Sequence, residues 1–125
     1  MKIKFYKCQI CGKVIAVVEN SGTQTICCGQ EMQELIPGTT DAVIEKHVPV
    51  IKTENNLVTV SVGTMPHPME EKHFIKWIAL QTTQGFYMKS LEPGKKPELQ
   101  FALTKDEKVE KAFAYCNLHS LWASE

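Results

Sequence analysis

The sequence contains no arginine: its fourteen basic residues are all lysines, balanced by fourteen carboxylates. A nucleic-acid surface needs an excess of positive charge to displace counterions, so the zero net charge argues against a nucleic-acid partner. The most apolar stretches, 14–18 and 75–80, fall far short of the roughly 20 residues that span a bilayer. The first residues also lack the apolar segment of a secretory leader. We therefore expect a cytoplasmic protein with no nucleic-acid and no membrane partner.

The residues that can carry chemistry are few, five cysteines and four histidines among 125 residues. Because five is an odd number, the cysteines cannot all pair within one chain. A reducing cytoplasm also disfavours disulfides, and cysteines there serve more often as metal ligands or redox groups. The spacing of these nine residues therefore carries most of the functional information.

The clearest break in the chain is Pro37-Gly38, since proline followed by glycine interrupts both helices and strands. Four cysteines and no histidine precede this break, whereas all four histidines and the fifth cysteine follow it. The candidate ligands thus divide where the local structure does. We predict a small four-cysteine domain at 1–36, a linker at 37–40 and a larger domain at 41–125.

Most of the chain after the break has the pattern of β-strands. Residues 57–62 and 99–103 alternate between polar and apolar side chains, and 73–80 are more continuously apolar, as in a central strand. Turn-forming residues separate these segments, and no βαβ pattern is found. A mainly β protein with an antiparallel sandwich is therefore predicted. Only Thr104, with Glu107 three residues later, has the pattern of a helix start.

The four cysteines near the N-terminus are spaced as two close pairs. Cys8 and Cys11 form a C-x2-C pair, and after fifteen residues Cys27 and Cys28 follow side by side. Four thiolates in two pairs suit a tetrahedral site for zinc or iron, and the spacing does not choose between them. The adjacent pair is expected to distort the tetrahedron, because neighbouring side chains of an extended chain point apart.

Stability also favours a metal in this domain. Its 36 residues fall below the roughly 40 at which a hydrophobic core alone usually suffices. A structural metal can contribute on the order of 10 kcal/mol to folding. The alternatives are a thioredoxin-like redox pair, a vicinal disulfide and four unconnected thiols.

The remaining candidate ligands are spread more widely. They are His47, His67, His73, Cys116 and His119. Cys116 and His119 are three residues apart, and prolines on both sides of His67 restrict its backbone to extended conformations. Taken singly, each histidine is more typical of a surface or hydrogen-bonded residue. Taken together with Cys116, they indicate a mixed imidazole and thiolate site, which suits iron or copper better than magnesium or calcium.

Five segments combine into a specific pattern. They are YKCQICG at 6–12, CCG at 27–29, EKHVPV at 45–50, PHPMEEKH at 66–73 and CNLH at 116–119. This pattern resembles that of the desulfoferrodoxins, the two-iron class of superoxide reductase, and the resemblance runs nearly from end to end of the chain.

The resemblance implies two non-haem iron centres. In a desulforedoxin-like N-terminal domain, one iron would be bound by Cys8, Cys11, Cys27 and Cys28. In an immunoglobulin-like antiparallel β-sandwich, the other iron would have Cys116 as its axial ligand and four histidines around it. Those four are His47, His67, His73 and His119.

The resemblance also implies an activity, the one-electron reduction of superoxide to hydrogen peroxide at the ferrous histidine centre, without production of dioxygen. Glu45 would occupy the open iron position in the ferric state without substrate, and Lys46 would attract the superoxide anion. The residues alone do not distinguish this pair from Glu71-Lys72, which also precedes a histidine. Rubredoxin or a similar carrier would supply the electron, and the family suggests a homodimer.

Two other functions fit parts of the pattern. One is an electron-transfer protein with a rubredoxin-like site and a cupredoxin-like copper site, the latter built from Cys116, His119 and a distant histidine. No methionine follows His119 to serve as the weak axial ligand of such a copper site. The other is a zinc-stabilised binding module without catalysis, which leaves the second set of ligands without a purpose.

Overall fold

The computed structural model describes residues 2–124 and divides the chain into two compact units, one ending at Ile36 and the other beginning at Pro37. Strands make up nearly all of the regular structure in both units, so the predicted mainly β class is confirmed. Across the described residues, no helix is both long enough and apolar enough to cross a membrane.

The N-terminal unit consists of five short strands in two small sheets. β1 (Lys4–Lys7) pairs antiparallel with β2 (Val14–Val17) on one side and with β5 (Gln33–Glu34) on the other. β3 (Ile26–Cys27) and β4 (Gln30–Glu31) form a separate antiparallel hairpin. The strands are only two to four residues long, so few backbone hydrogen bonds stabilise the unit.

The second unit is an antiparallel β-sandwich, as predicted. One sheet has the strand order β10-β7-β6. Its strands are β6 (Pro49–Glu54), β7 (Leu57–Val62) and β10 (Glu98–Ala102). The other sheet has the order β12-β11-β8-β9. Its strands are β8 (Ile75–Thr82), β9 (Phe86–Ser90), β11 (Val109–Cys116) and β12 (Ser120–Ala123). A single helical turn, α1 (Ile44–His47), precedes β6.

The core of the sandwich lies between the two sheets. Val58, Val60 and Val62 of β7 are at most 1 % exposed, which confirms the alternation predicted for this strand. They belong to one buried cluster with Ile78 and Leu80 of β8. Each such side chain contributes roughly 1.5–3 kcal/mol by leaving water, so the sandwich is stabilised mainly by this apolar interior.

The helix predicted to start at Thr104 is wrong. The hydrogen bond of its expected cap does form, because the Glu107 carboxylate accepts the Thr104 backbone N–H at 3.1 Å. The same carboxylate also accepts the hydroxyls of Thr82 and Tyr87, which belong to the second sheet. Strand β11 then begins at Val109 and pairs with β8. Tertiary pairing therefore overrides the local helix signal.

Strand pairing brings the ends of several strands together at one end of each sheet. In the first sheet Pro49, at the start of β6, pairs with Val62, at the end of β7. In the second sheet Cys116, at the end of β11, pairs with Ile75, at the start of β8. The segments that carry the histidines lie just beyond these strand ends, which is how residues far apart in sequence become neighbours.

Candidate metal centres

The four N-terminal cysteines lie in two turns. Cys8 and Cys11 occupy the turn between β1 and β2, which a 2.9 Å hydrogen bond from the Cys8 N–H to the Lys13 carbonyl closes. Cys27 ends β3, and Cys28 follows it in the turn between β3 and β4. All four thiols are free, and their sulfur atoms lie within 4.8 Å of one another.

The adjacent pair reaches one site because of a local backbone conformation. Cys28 has a φ of 54°, in the left-handed region that residues other than glycine rarely adopt. This conformation turns the chain between Cys27 and Cys28. Both sulfurs can therefore belong to the same group, although an extended chain would direct them to opposite sides.

The sulfur geometry fits a tetrahedral metal. The Cys11 and Cys27 Sγ atoms are 3.7 Å apart, whereas a disulfide needs about 2.05 Å. A tetrahedron with a 3.7 Å edge has its centre about 2.3 Å from each corner, the usual metal–thiolate distance. The backbone N–H groups of Cys11 and Ile10 lower the pKa of Cys8 to about 6, which favours a thiolate there, whereas hydrogen bonds with Cys11 and then Cys8 raise the pKa of Cys27 to about 12.

The second group lies at the end of the sandwich where the strand ends meet. His47 ends α1, His67 lies in the connection between β7 and β8, and His73 lies just before β8. Cys116 is the last residue of β11, and His119 lies in the turn between β11 and β12. The structure thus brings together all five residues that the sequence indicated.

The four imidazoles are arranged as the corners of a square. Neighbouring rings, taken in the order His47, His67, His73 and His119, have centroids 4.6 to 5.1 Å apart and are nearly perpendicular. His47 and His73 stand on a diagonal, with centroids 6.5 Å apart and ring planes only 31° apart. Four rings directed at a common point is the arrangement expected for equatorial metal ligands.

Two of these histidines present unprotonated nitrogens to each other. The Nδ1 atoms of His47 and His67 lie 2.7 Å from the carbonyl oxygens of Val43 and Pro68. A carbonyl can only accept, so both Nδ1 atoms carry the proton and both Nε2 atoms carry a lone pair. These two Nε2 atoms are 3.1 Å apart. Two lone pairs at that distance repel each other unless a cation lies between them.

The distances match a first-row metal ion. His47 Nε2 is 3.1 Å from His119 Nδ1 as well as from His67 Nε2. A square with a 3.1 Å edge has its centre about 2.2 Å from each corner, close to ordinary metal–imidazole distances. Among the described residues, His73 Nε2 is the one buried side-chain nitrogen or oxygen without a hydrogen-bond partner. A metal ligand role explains that atom.

Cys116 lies on the buried side of the square. It is fully buried and belongs to the apolar core of the sandwich, with its Sγ 3.9 Å from His119 Nδ1. Burial raises the pKa of this thiol above its ordinary value. Bound to a metal ion the sulfur would be a thiolate, whose charge the cation compensates.

Burial favours the neutral form, which binds a metal, in three of the four imidazoles. It lowers the pKa of His67 to about 4, and it also lowers the pKa values of His47 and His73. The positive charge of Lys46 adds to this lowering at both His47 and His73. The charge of the Lys46 ammonium therefore lowers the pKa at two opposite corners of the square, His47 and His73.

Comparison with known proteins identifies the family. The desulfoferrodoxin model matches residues 39–125, and the model of the desulfoferrodoxin N-terminal domain matches residues 1–35. The chain belongs to the desulfoferrodoxin family. It is 47 % identical to the desulfoferrodoxin of Syntrophotalea carbinolica over 125 residues, covering 99 % of this chain and 97 % of that one. The desulfoferrodoxin of Nitratidesulfovibrio vulgaris is 44 % identical to this chain. The match covers 98 % of this chain and 95 % of that protein.

A solved structure agrees with this assignment. The superoxide reductase from Treponema pallidum superposes with a TM-score of 0.84 at 33 % identity, covering 100 % of both chains. Both metal-binding groups match the two-iron arrangement of the desulfoferrodoxin family. The copper alternative needs one distant histidine beside Cys116 and His119, and four converging imidazoles disfavour it.

Several residues that support the histidine group were not recognised in the sequence. Trp122 stacks on His47 with ring centroids 4.9 Å apart, and its Nε1 donates to the His119 carbonyl at 2.9 Å. Gly63 lies against the backbone that leads to His47, and Asn117 contacts the backbone on both sides of His73. Their signals are weak in a single sequence, because each acts through the backbone of another segment.

Proposed function

We propose that this protein is a superoxide reductase that converts superoxide to hydrogen peroxide at the histidine group, consuming one electron and two protons per superoxide. The main support for this proposal is the arrangement of the site. A chain of the desulfoferrodoxin family places four imidazoles in a square with a buried thiol beside them. Iron held there by the four imidazoles and Cys116 would supply the electron for the reduction, and an external donor would replace that electron.

The two kinds of ligand have different tasks. The neutral imidazoles add no charge, so the site can retain the positive potential that a small anion needs. The Cys116 sulfur, fully buried in the core, is shielded from solvent and from reaction with the product. As a thiolate it would donate electron density to a metal held in this site, as the thiolate ligand does in haem enzymes.

Lys46 is the residue we propose to attract superoxide. It is half-buried on α1, directly before the ligand His47. Within residues 2–124 no carboxylate lies within 4.0 Å of its ammonium, so its charge is not neutralised by an ion pair. We assign to the exposed Glu45 carboxylate, on the same helical turn, the task of occupying the open iron position when no substrate is present.

The remaining parts of the proposal concern partners and location. We propose rubredoxin or a similar small carrier as the electron donor, a homodimer as the assembly and the cytoplasm as the compartment. We also propose that the chain divides into a cysteine domain at 1–36, a linker at 37–40 and a catalytic domain at 41–125.

The activity is tested by anaerobic reaction of the fully reduced two-iron protein with superoxide, with hydrogen peroxide and dioxygen both quantified. A reductase forms one hydrogen peroxide per superoxide and no dioxygen. Dismutation forms one dioxygen for every two superoxide ions consumed. Release of dioxygen in that proportion, or absence of any reaction, would contradict the proposed activity.

The role of Lys46 is tested by Lys46→Ala, with Lys72→Ala as the matched control. Both lysines follow a glutamate and precede a histidine ligand, but we place only Lys46 at the substrate position. We expect Lys46→Ala to slow superoxide capture by about tenfold at low ionic strength, because steering charges typically change capture rates by 10- to 1,000-fold.

The salt dependence of the rate, measured by pulse radiolysis, separates this role from a general charge effect. Salt screens an exposed charge, so loss of the steering lysine should weaken the dependence on ionic strength. Lys72→Ala should keep both the rate and its salt dependence. Equal slowing by the two variants would show that only net charge matters and would remove the assigned role of Lys46.

A further inference from the structure

The strand ladder that supports the histidine group ends before it reaches the histidines. Strands β8 and β11 pair regularly from Gln81 and Lys111 to Trp77 and Tyr115, and the register shifts again at the next pair, Ile75 and Cys116. His73 lies before this last pair, and His119 lies after it. Regular strand pairing therefore does not determine how these ligands sit relative to each other.

Beyond the end of the ladder, Asn117 connects the two segments by hydrogen bonds. Its side-chain Oδ1 accepts the Phe74 N–H at 3.0 Å, and its Nδ2 donates to the Lys72 carbonyl at 3.0 Å. Its own backbone N–H donates to the Phe74 carbonyl at 3.2 Å. The three bonds hold the chain on both sides of His73, so this ligand is fixed to the end of β11, where Cys116 lies, and to the turn that contains His119.

We propose that Asn117 is a positioning residue that joins His73, Cys116 and His119 into one rigid unit, so that three of the five ligands are aligned before the metal binds. The inference rests on the proposed iron site at the histidine group, and it does not depend on superoxide being the substrate.

The chemistry of the side chain explains why this residue is asparagine. The two partners are a backbone donor and a backbone acceptor that flank one residue, so the side chain must accept and donate at the same time. An amide does both from one planar group, whereas an ionised aspartate only accepts and an alanine does neither. Aspartate would also place its negative charge against the Lys72 carbonyl oxygen. The amide is therefore the suitable group for this position.

The test compares Asn117→Ala with a matched control, Asn56→Ala. Asn56 also donates from its Nδ2 to a backbone carbonyl, that of Leu103, at 3.0 Å, but it lies in the turn between β6 and β7. Both substitutions remove an amide that ties distant backbone segments together. Only Asn117 ties segments that carry metal ligands.

The measurement is iron release from the two-iron protein to an excess of chelator, followed by the visible absorption of the thiolate-bound iron of the histidine group. Loss of a residue that orients ligands typically weakens metal binding 10- to 100-fold. We expect Asn117→Ala to release this iron 10 to 100 times faster than the unmodified protein. Asn56→Ala should release it at the unmodified rate, whatever its effect on thermal stability.

Asn117→Asp provides a second variant that conserves size. It keeps the bond from the Phe74 N–H, but it loses the bond to the Lys72 carbonyl and places a negative charge against that oxygen, so we expect faster iron release than from the unmodified protein. Iron release at the unmodified rate in both Asn117 variants would overturn the inference, and so would equal acceleration by Asn56→Ala. If the unmodified two-iron protein fails to reduce superoxide, the proposed function fails while the iron-release comparison still decides the role of Asn117.

Discussion

Gly63 offers a direct test of how the segment that bears Lys46 is held. Gly63 follows β7 and has a φ of +84°. A Cβ atom there would lie 2.4 Å from the Met65 carbonyl oxygen, 2.6 Å from the Glu45 carbonyl oxygen and 2.8 Å from the Lys46 carbonyl carbon. All three are backbone atoms, so no flexible side chain can move aside to relieve the contact.

The expected cost of Gly63→Ala has two parts, and a control separates them. A left-handed backbone conformation costs a residue with a Cβ about 1–2 kcal/mol. Gly94 has a φ of +85°, and apart from its two chain neighbours no atom of residues 2–124 lies within 4 Å of its Cβ position, so Gly94→Ala incurs only this part. Forcing atoms into a packed site adds about 1–3 kcal/mol. We therefore expect Gly63→Ala to lower the free energy of unfolding by about 1–3 kcal/mol more than Gly94→Ala.

The crowding at Gly63 should also affect the histidine group, because two of the three crowded atoms belong to Glu45 and Lys46, directly before the ligand His47. The Met65 N–H donates to the Glu45 carbonyl at 3.0 Å, and the Gly63 N–H donates to the Val48 carbonyl at 3.0 Å. We expect slower superoxide capture in Gly63→Ala and an unmodified rate in Gly94→Ala.

Urea unfolding measures the stability of both glycine variants, and pulse radiolysis measures their capture rates. Equal destabilisation by the two substitutions would show that the turn yields without strain. It would refute the reasoning that the close approach of Gly63 fixes the segment before His47.

Two further predictions concern the cysteine group and a buried carboxylate. We expect Cys11→Ser to lose the iron of the four-cysteine group and to make the N-terminal unit sensitive to protease, while the histidine group keeps its iron, as metal analysis and limited proteolysis will show. Hydrogen bonds from Thr82, the larger cause, and from Tyr87 lower the pKa of Glu107 from 4.5 to about 2. The ionised carboxylate therefore stabilises the fold above pH 4.5, and this stabilisation is lost as the pH falls towards about 2. Glu107→Gln should therefore unfold at lower urea concentration than the unmodified protein at pH 7, and the difference should shrink between pH 4.5 and pH 3; a difference independent of pH would contradict this role of the charge.

The elements that could be predicted from the sequence are those in which one local pattern matches one structural environment. The alternation of Val58, Val60 and Val62 indicates a strand with one buried face, and that face is where the core lies. The two close pairs of cysteines likewise indicate one metal group, since each pair lies within a single turn. In both cases the information is contained in a few consecutive residues.

The elements that could not be predicted depend on contacts between distant segments. The helical turn α1 has no side-chain cap at Val43, and its last residue is held by the bond from the His47 ring to the Val43 carbonyl. At Thr104 the reverse occurs, because Glu107 makes a capping hydrogen bond but is drawn to Thr82 of the neighbouring strand. A single sequence does not show which of two local patterns tertiary contacts will select.

The two metal groups also differ in whether their ligands can be recognised from local sequence or depend on contacts between distant segments. In the N-terminal unit the described buried side chains are few. They are Ile3, Phe5, Cys8 and Met32. We therefore expect folding there to need the energy of metal binding. Its four ligands lie in two close pairs, which is why the sequence shows them. The sandwich has a large apolar core of its own, and its fold can hold together four imidazoles that would otherwise repel. Its ligands can therefore be as far apart in sequence as His47 and His119, because strand pairing and single contacts such as those of Asn117 supply the alignment that local spacing does not.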